Sequence, residues 1–243
     1  MIDKKIKNRV KDRFSREEHY PLRPAAEREA DYQSFAAAGG KIDDAQLLQA
    51  FLRAIAPDLH DSEKIVVRLM ARFGSLVAIL SASAEELSEE LKKHTSLIVY
   101  FQLIREAVLR SHLFHLKKEG IRHNTRWLYA YLRVMLSQEK REQARVLFFD
   151  SAKCLLAEKL MGQGTVDTAP IYPREVVHAA VNCKAQFLVL SHNHPSGDPS
   201  PSSDDLALTR HIQGAARLMN ITVLDHIIVG QNSFFSFCDE GLL

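Results

Sequence analysis

The segment from Ser191 to Asp205 contains the residues best suited to chemistry, two histidines and an aspartate. His192 and His194 follow the apolar run 187–190, which is typical of a buried strand. In an extended backbone, side chains two residues apart point to the same face, so the two imidazoles are expected to lie together. Because zinc favours imidazole nitrogen, the pair predicts a metal site.

Asp205 is the third ligand that the spacing predicts. Three prolines and a glycine between residues 195 and 201 exclude regular structure there, and a helix is predicted to begin near Ser202 or Ser203. Side chains in the first helical turn lean toward its N-terminus, so Asp205 can return to the histidines. Asp204 competes for this role but lies about 100° around the helix. Two nitrogens and one carboxylate oxygen leave a fourth tetrahedral position for water, as in catalytic zinc sites.

Each of these features alone has a simpler explanation. A His-x-His pair is common, and Ser202 with Asp205 can form nothing more than a helix N-cap and its acidic third residue. Their conjunction favours a metal site, because an isolated cap does not require two histidines at a strand end. Nucleobase deaminases are excluded, since the sequence lacks their His-x-Glu and Pro-Cys-x-x-Cys motifs.

The elements that must position these residues change character along the chain. Over residues 43–118, apolar residues recur at intervals of three and four, which predicts helices, one of them with Ser83 and Glu86 spaced as a capping box. A polar break ends at Gly120, and predicted strands and helices alternate beyond it. We therefore expect a helical domain over residues 43–118 and an α/β (α+β) domain over residues 121–243.

The overall charge does not favour a polyanionic partner, because 32 basic and 30 acidic residues give a net charge of +2. Residues 1–16 nevertheless contain seven basic and two acidic residues. This excess of basic residues is compatible with weak contact with DNA phosphates. A solvated, mobile arm explains it as well. We expect residues 1–42 to form a basic, flexible N-terminal arm.

The cysteines and the absence of long apolar runs indicate the compartment. Cys154, Cys183 and Cys238 are few and widely spaced, which fits neither a disulfide framework nor paired thiolate ligands. The N-terminus lacks the apolar core of a signal peptide, and no window approaches the ~18 apolar residues of a membrane span. We therefore expect a cytoplasmic protein with no membrane contact.

The chemistry-bearing segment resembles a known family. The residues that match the JAMM motif of MPN-type metalloproteases are His192, His194, Pro195, Ser202 and Asp205. The longer string His-Asn-His-Pro-Ser-Gly-Asp-Pro-x-Pro-Ser-x-x-Asp resembles the bacterial RadC family in particular, and similar segments cover about residues 121–243. Residues 43–118 resemble the family's small helix-hairpin-helix-like domain more loosely. The resemblance implies an MPN/JAMM-like domain with a mixed, curved β-sheet flanked by helices.

The resemblance also implies a zinc-dependent hydrolase with one zinc ion per chain, cleaving a peptide or isopeptide bond in an unknown protein or peptide substrate. Such chemistry requires a glutamate to move a proton. Glu142 immediately precedes a predicted strand, as the JAMM glutamate does, and is our first choice, although it also ends a charged run that solvent alone would explain. Glu175 is the alternative base, and its other role is to complement a helix dipole. Ser202 would donate its hydroxyl to the developing oxyanion.

A second hypothesis is a DNA-associated repair or protein-interaction module in which the zinc site is structural or inactive. Helix-hairpin-helix modules use a glycine-rich turn to approach phosphate, but the turn at residues 91–97 contains no glycine. Lys92 and Lys93 allow only weak, salt-sensitive contact. His226, on a predicted strand, is either a half-buried strand histidine or a residue that supports a ligand.

Overall fold

The computed structural model describes residues 42–92, 94–164, 171–231 and 233–243. The predicted arm therefore lies almost wholly outside the described residues, as does Lys93. The helices are α1 (Asp44–Ile55), α2 (Ser62–Phe73), α3 (Leu76–Ser81), α4 (Ala84–Leu91), α5 (Thr95–Lys118), α6 (Arg126–Leu136), α7 (Pro173–Asn182) and α8 (Ser203–Arg217). The strands are β1 (Gln143–Phe149), β2 (Leu155–Gln163), β3 (Phe187–Asn193), β4 (Thr222–Val229) and β5 (Phe234–Ser236).

The described residues form two compact units, which divide between Val67 and Arg68. In the first unit, a capping box at Asp43 begins α1, whose Leu48 and Leu52 are buried. In the second unit, α5 packs against α6 and β2. This long helix, which lies in the N-terminal half of the chain, is therefore part of the same unit as the sheet. The domains expected from the sequence, with their boundary between residues 118 and 121, stay a prediction.

The helix α4 ends at a residue whose backbone conformation usually requires glycine, although no glycine is present there. The predicted capping box of Ser83 and Glu86 begins α4. At the other end of this helix Lys92 has φ of +44°, in the left-handed region that favours glycine.

A mixed sheet of five strands forms the centre of the second unit, in the order β2-β1-β3-β4-β5. β3 and β4 are parallel, and the other neighbouring pairs are antiparallel. The parallel pair is connected through α8, as a crossover connection requires. The sheet is open and flanked by helices, so the predicted fold class is confirmed. Among the described residues, no helix is long and apolar enough to cross a bilayer.

Both faces of the sheet are covered by apolar side chains. On one face, Val189 packs in a buried cluster with residues of α5 and α6. On the other face, Leu188 and Leu190 pack with residues of α7 and α8. Since side chains alternate along a strand, His192 follows Leu190 onto the α7–α8 face, while Asn193 points to the opposite one. The histidine at the end of β3 thus faces the beginning of α8.

Candidate metal centre

Three side chains converge where β3 ends and α8 begins. His192, His194 and Asp205 each offer one ligand atom within 4.8 Å of the others. The Nε2 atoms of the two histidines are 3.0 Å apart. Asp205 Oδ1 lies 3.2 Å from His192 Nε2, and Oδ2 lies 3.5 Å from His194 Nε2. Two imidazole nitrogens and a carboxylate directed at one point could hold a metal ion.

The local structure explains why these side chains meet. His194 lies one residue beyond β3, and its N–H donates to the Val229 carbonyl at 3.0 Å, which keeps the backbone aligned with β4. On α8, Asp205 is buried with 8% of its surface exposed. The adjacent Asp204 is exposed, as their angular separation on the helix requires.

A loop carbonyl orients the ring of His194. His194 Nδ1 lies 2.8 Å from the Asp198 carbonyl oxygen, which can only accept, so Nδ1 donates a proton to it. In the neutral ring, Nε2 then presents its lone pair to the other two ligands. The loop is fixed in turn by Gln231, whose N–H donates to the Gly197 carbonyl at 3.1 Å. Gly230 allows this approach, because a Cβ there would lie 2.4 Å from the Gly197 oxygen.

The electrostatics of the cluster keep the carboxylate ionised. Burial alone raises the pKa of Asp205, but the contacts with His192 and His194 and a hydrogen bond from Ser202 outweigh burial and lower this pKa far below its ordinary value. The hydrogen bond to Asp205 raises the pKa of His194 above its ordinary value, with a further contribution from the charge of Glu142. The ligands therefore attract positive charge, which is what a bound cation supplies.

Ser202 forms the helix cap that the sequence allowed as its simpler role. Its Oγ accepts from the Asp205 N–H at 3.1 Å and donates to Asp205 Oδ2 at 2.6 Å, and its own N–H donates to Oδ2 at 2.8 Å. Ser202 is nevertheless exposed and touches a ligand of the cluster. The oxyanion role of Ser202 stays a prediction.

The two candidate bases lie in different surroundings. Glu142 is half-buried just before β1, and its charge acts on the pKa of His194. Glu175 is exposed in the first turn of α7, where its charge complements the helix dipole. Its N–H donates to the Tyr172 carbonyl at 2.9 Å. Glu142 thus acts on the cluster through its charge, and its selection as the base stays a prediction.

Asn193, the residue between the two histidines, holds the segment that contains Glu142. It is buried, and its Oδ1 accepts from the Gln143 N–H at 2.9 Å. Its Nδ2 donates to the carbonyls of Glu139 at 3.0 Å and Arg141 at 3.2 Å. The backbone on both sides of Glu142 is therefore fixed to the middle of the His-x-His pair. This role of Asn193 was not predicted from the sequence, where only an amide side chain in a buried strand could have indicated it.

His226 is a fully buried neighbour of the cluster. Its Nε2 lies 2.9 Å from His192 Nδ1, and its Nδ1 lies 2.7 Å from Thr209 Oγ1. Of the two interpretations of His226, a half-buried strand residue or a support for a ligand, the contact with His192 favours support. Thr209 was not predicted from the sequence, although it lies one helical turn after Asp205 and therefore on the same helix face.

Comparisons with known proteins agree with this geometry. Residues 122–242 match a family model described as the RadC-like JAB domain. A UPF0758 protein from Rhodobacter capsulatus is 34% identical over 200 residues, which cover 82% of this chain and 93% of the relative. The matched region contains the whole three-residue cluster, and the expected family is confirmed. The chain belongs to the RadC family.

Proposed function

We propose that the protein is a zinc-dependent hydrolase of the JAMM metallopeptidase type, which cleaves a peptide or isopeptide bond. The observation on which the proposal rests is the convergence of His192, His194 and Asp205 at a partly exposed point of a RadC-like JAB domain. The His194 side chain is 19% exposed, against 3% for His192. One side of the cluster is thus accessible to a substrate.

The ligand atoms fit zinc better than the common hard cations. Ca²⁺ and Mg²⁺ prefer sets of oxygen ligands, whereas two imidazole nitrogens with one carboxylate are typical of catalytic zinc. Each Nδ1 is hydrogen-bonded to a group outside the cluster, which leaves the Nε2 lone pairs of both rings for a metal ion. A zinc ion held here would acidify water and polarise a substrate carbonyl.

Glu142 and Ser202 supply the remaining chemistry in this proposal. Glu142 takes the proton of the attacking water and delivers it to the leaving nitrogen, a role that requires a carboxylate near the cluster. Its electrostatic effect on His194 supports this placement. Ser202 turns its hydroxyl from Asp205 to the carbonyl oxygen as negative charge develops there. Asn193 fixes the backbone that presents Glu142.

Peptide and isopeptide libraries test this activity directly. We expect the zinc-loaded protein to cleave members of at least one library, a chelator to abolish the cleavage, and added zinc to restore it. A His194→Ala variant is the matched control for contaminating proteases, because it removes one ligand from the accessible side. Cleavage that persists in the chelated protein and in His194→Ala would contradict the proposal, as would the absence of cleavage in both libraries.

A further inference from the structure

Four groups form a continuous set of hydrogen bonds behind the cluster, which we call the hydrogen-bond chain. It runs from the Asp205 carbonyl to Thr209 Oγ1 at 2.6 Å, then to His226 Nδ1 at 2.7 Å. It continues from His226 Nε2 to His192 Nδ1 at 2.9 Å. All four residues are buried. The helix α8 supplies the ligand Asp205 directly, and through Thr209 and His226 it also supports the ligand His192.

The direction of each hydrogen bond follows from the chemistry of its ends. The Asp205 carbonyl oxygen can only accept, so the single hydroxyl proton of Thr209 must point to it. Thr209 Oγ1 then has only lone pairs for His226, and His226 must donate from Nδ1. No other assignment satisfies both contacts of the hydroxyl.

His226 is kept neutral, so that its second nitrogen is an acceptor. The ring is fully buried and stacks on Phe237 with a centroid distance of 4.7 Å. A charged imidazolium in this buried position would be costly, whereas the neutral ring satisfies both of its hydrogen bonds. With the proton on Nδ1, His226 Nε2 accepts from His192 Nδ1. His192 therefore has its own proton on Nδ1.

We propose that Thr209 and His226 are positioning residues that fix the tautomer of His192 so that its Nε2 lone pair faces the metal position. The proposal rests on the proposed function only for the identity of the metal, since the tautomers are a property of the metal-free protein. His194 also has its proton on Nδ1, but there the acceptor is the Asp198 carbonyl. The two imidazoles are thus prepared by independent partners.

Long-range proton–nitrogen NMR of the metal-free protein at mildly alkaline pH tests the tautomers. We expect His192 and His226 to hold their protons on Nδ1 in the wild type and in Thr209→Ser, which keeps the hydroxyl. In Thr209→Val the His226 Nδ1 loses its acceptor, so we expect the proton to move to Nε2 and His192 to be protonated on Nε2. A wild-type His192 with its proton on Nε2 would overturn the proposal whether or not any variant folds.

Zinc affinity, measured by competition with a chelator, tests the consequence. Loss of a group that orients a metal-bound histidine typically weakens binding by about 10–100-fold, and we expect this loss in Thr209→Val but not in Thr209→Ser. Equal affinity in all three proteins would overturn the positioning role. A wild type without zinc affinity would refute the proposed zinc site, while the NMR result would still decide the tautomers.

Discussion

The two histidines of the metal cluster are anchored in contrasting ways. His192 lies within β3 and is supported by side chains of β4 and α8, whereas His194 lies beyond the strand and is supported by one loop carbonyl. The side chain of His192 is almost wholly buried, and that of His194 is partly exposed. Rigid elements thus hold the inner side of the cluster, and a loop forms the outer side, at which substrate must arrive.

Two residues that are not metal ligands test this contrast, Glu142 through turnover and Gly230 through metal binding. In Glu142→Gln, the proton-transfer group is lost, and general acid–base catalysis typically contributes about 10²–10⁴-fold to the rate. We expect kcat to fall by that amount while zinc content stays unchanged. Steady-state kinetics on any substrate found in the libraries, with zinc analysis of the same samples, provides the measurement.

Glu175→Gln is the matched control for this variant, because it makes the same chemical change on an exposed helix start. We expect it to retain wild-type kcat. Activity that survived in Glu142→Gln and disappeared in Glu175→Gln would show that Glu175 is the base and that Glu142 is not.

A smaller effect is expected from a change to the loop that supports His194. In Gly230→Ala, the added Cβ would overlap the Gly197 carbonyl at 2.4 Å, so the loop containing Asp198 must shift. Overpacking of this kind costs about 1–3 kcal/mol. We expect the free energy of unfolding to fall by that amount and the zinc affinity to fall by about 10-fold, near the lower end of the range for supporting groups.

Gly214→Ala is the control for this substitution, because a Cβ at Gly214 meets no atom within 4 Å apart from the nearby backbone of its own helix. Denaturant unfolding and zinc competition are measured on both variants. If Gly230→Ala bound zinc as tightly as Gly214→Ala, the loop would not support His194, and the contrast between the two sides of the cluster would be lost.

The parts that the sequence predicted correctly depend on local periodicity and short spacing. The strand before His192, the helix start at Ser202 and the inward side of Asp205 all follow from residues within about one or two helical turns. Residue type and spacing were also enough to select the three residues that the structure brings together.

The parts that the sequence left open depend on how distant segments pack. Thr209 touches His226 only because α8 lies against β4, and Asn193 reaches the residues around Glu142 only because β1 pairs with β3. The Asp198 contact uses a backbone oxygen, which has no signature in residue type. The choice between Glu142 and Glu175 likewise remains a proposal, since one precedes a strand and the other lies in the first turn of a helix.

The assignment of the three metal ligands is tested by the zinc content of the purified protein. We expect the purified wild type to contain about one zinc ion per chain, as a three-ligand catalytic site does. His192→Ala and Asp205→Ala are expected to lose it, whereas Asp204→Ala, which changes the exposed neighbour, is expected to retain it. Full zinc occupancy in both His192→Ala and Asp205→Ala would contradict the ligand assignment.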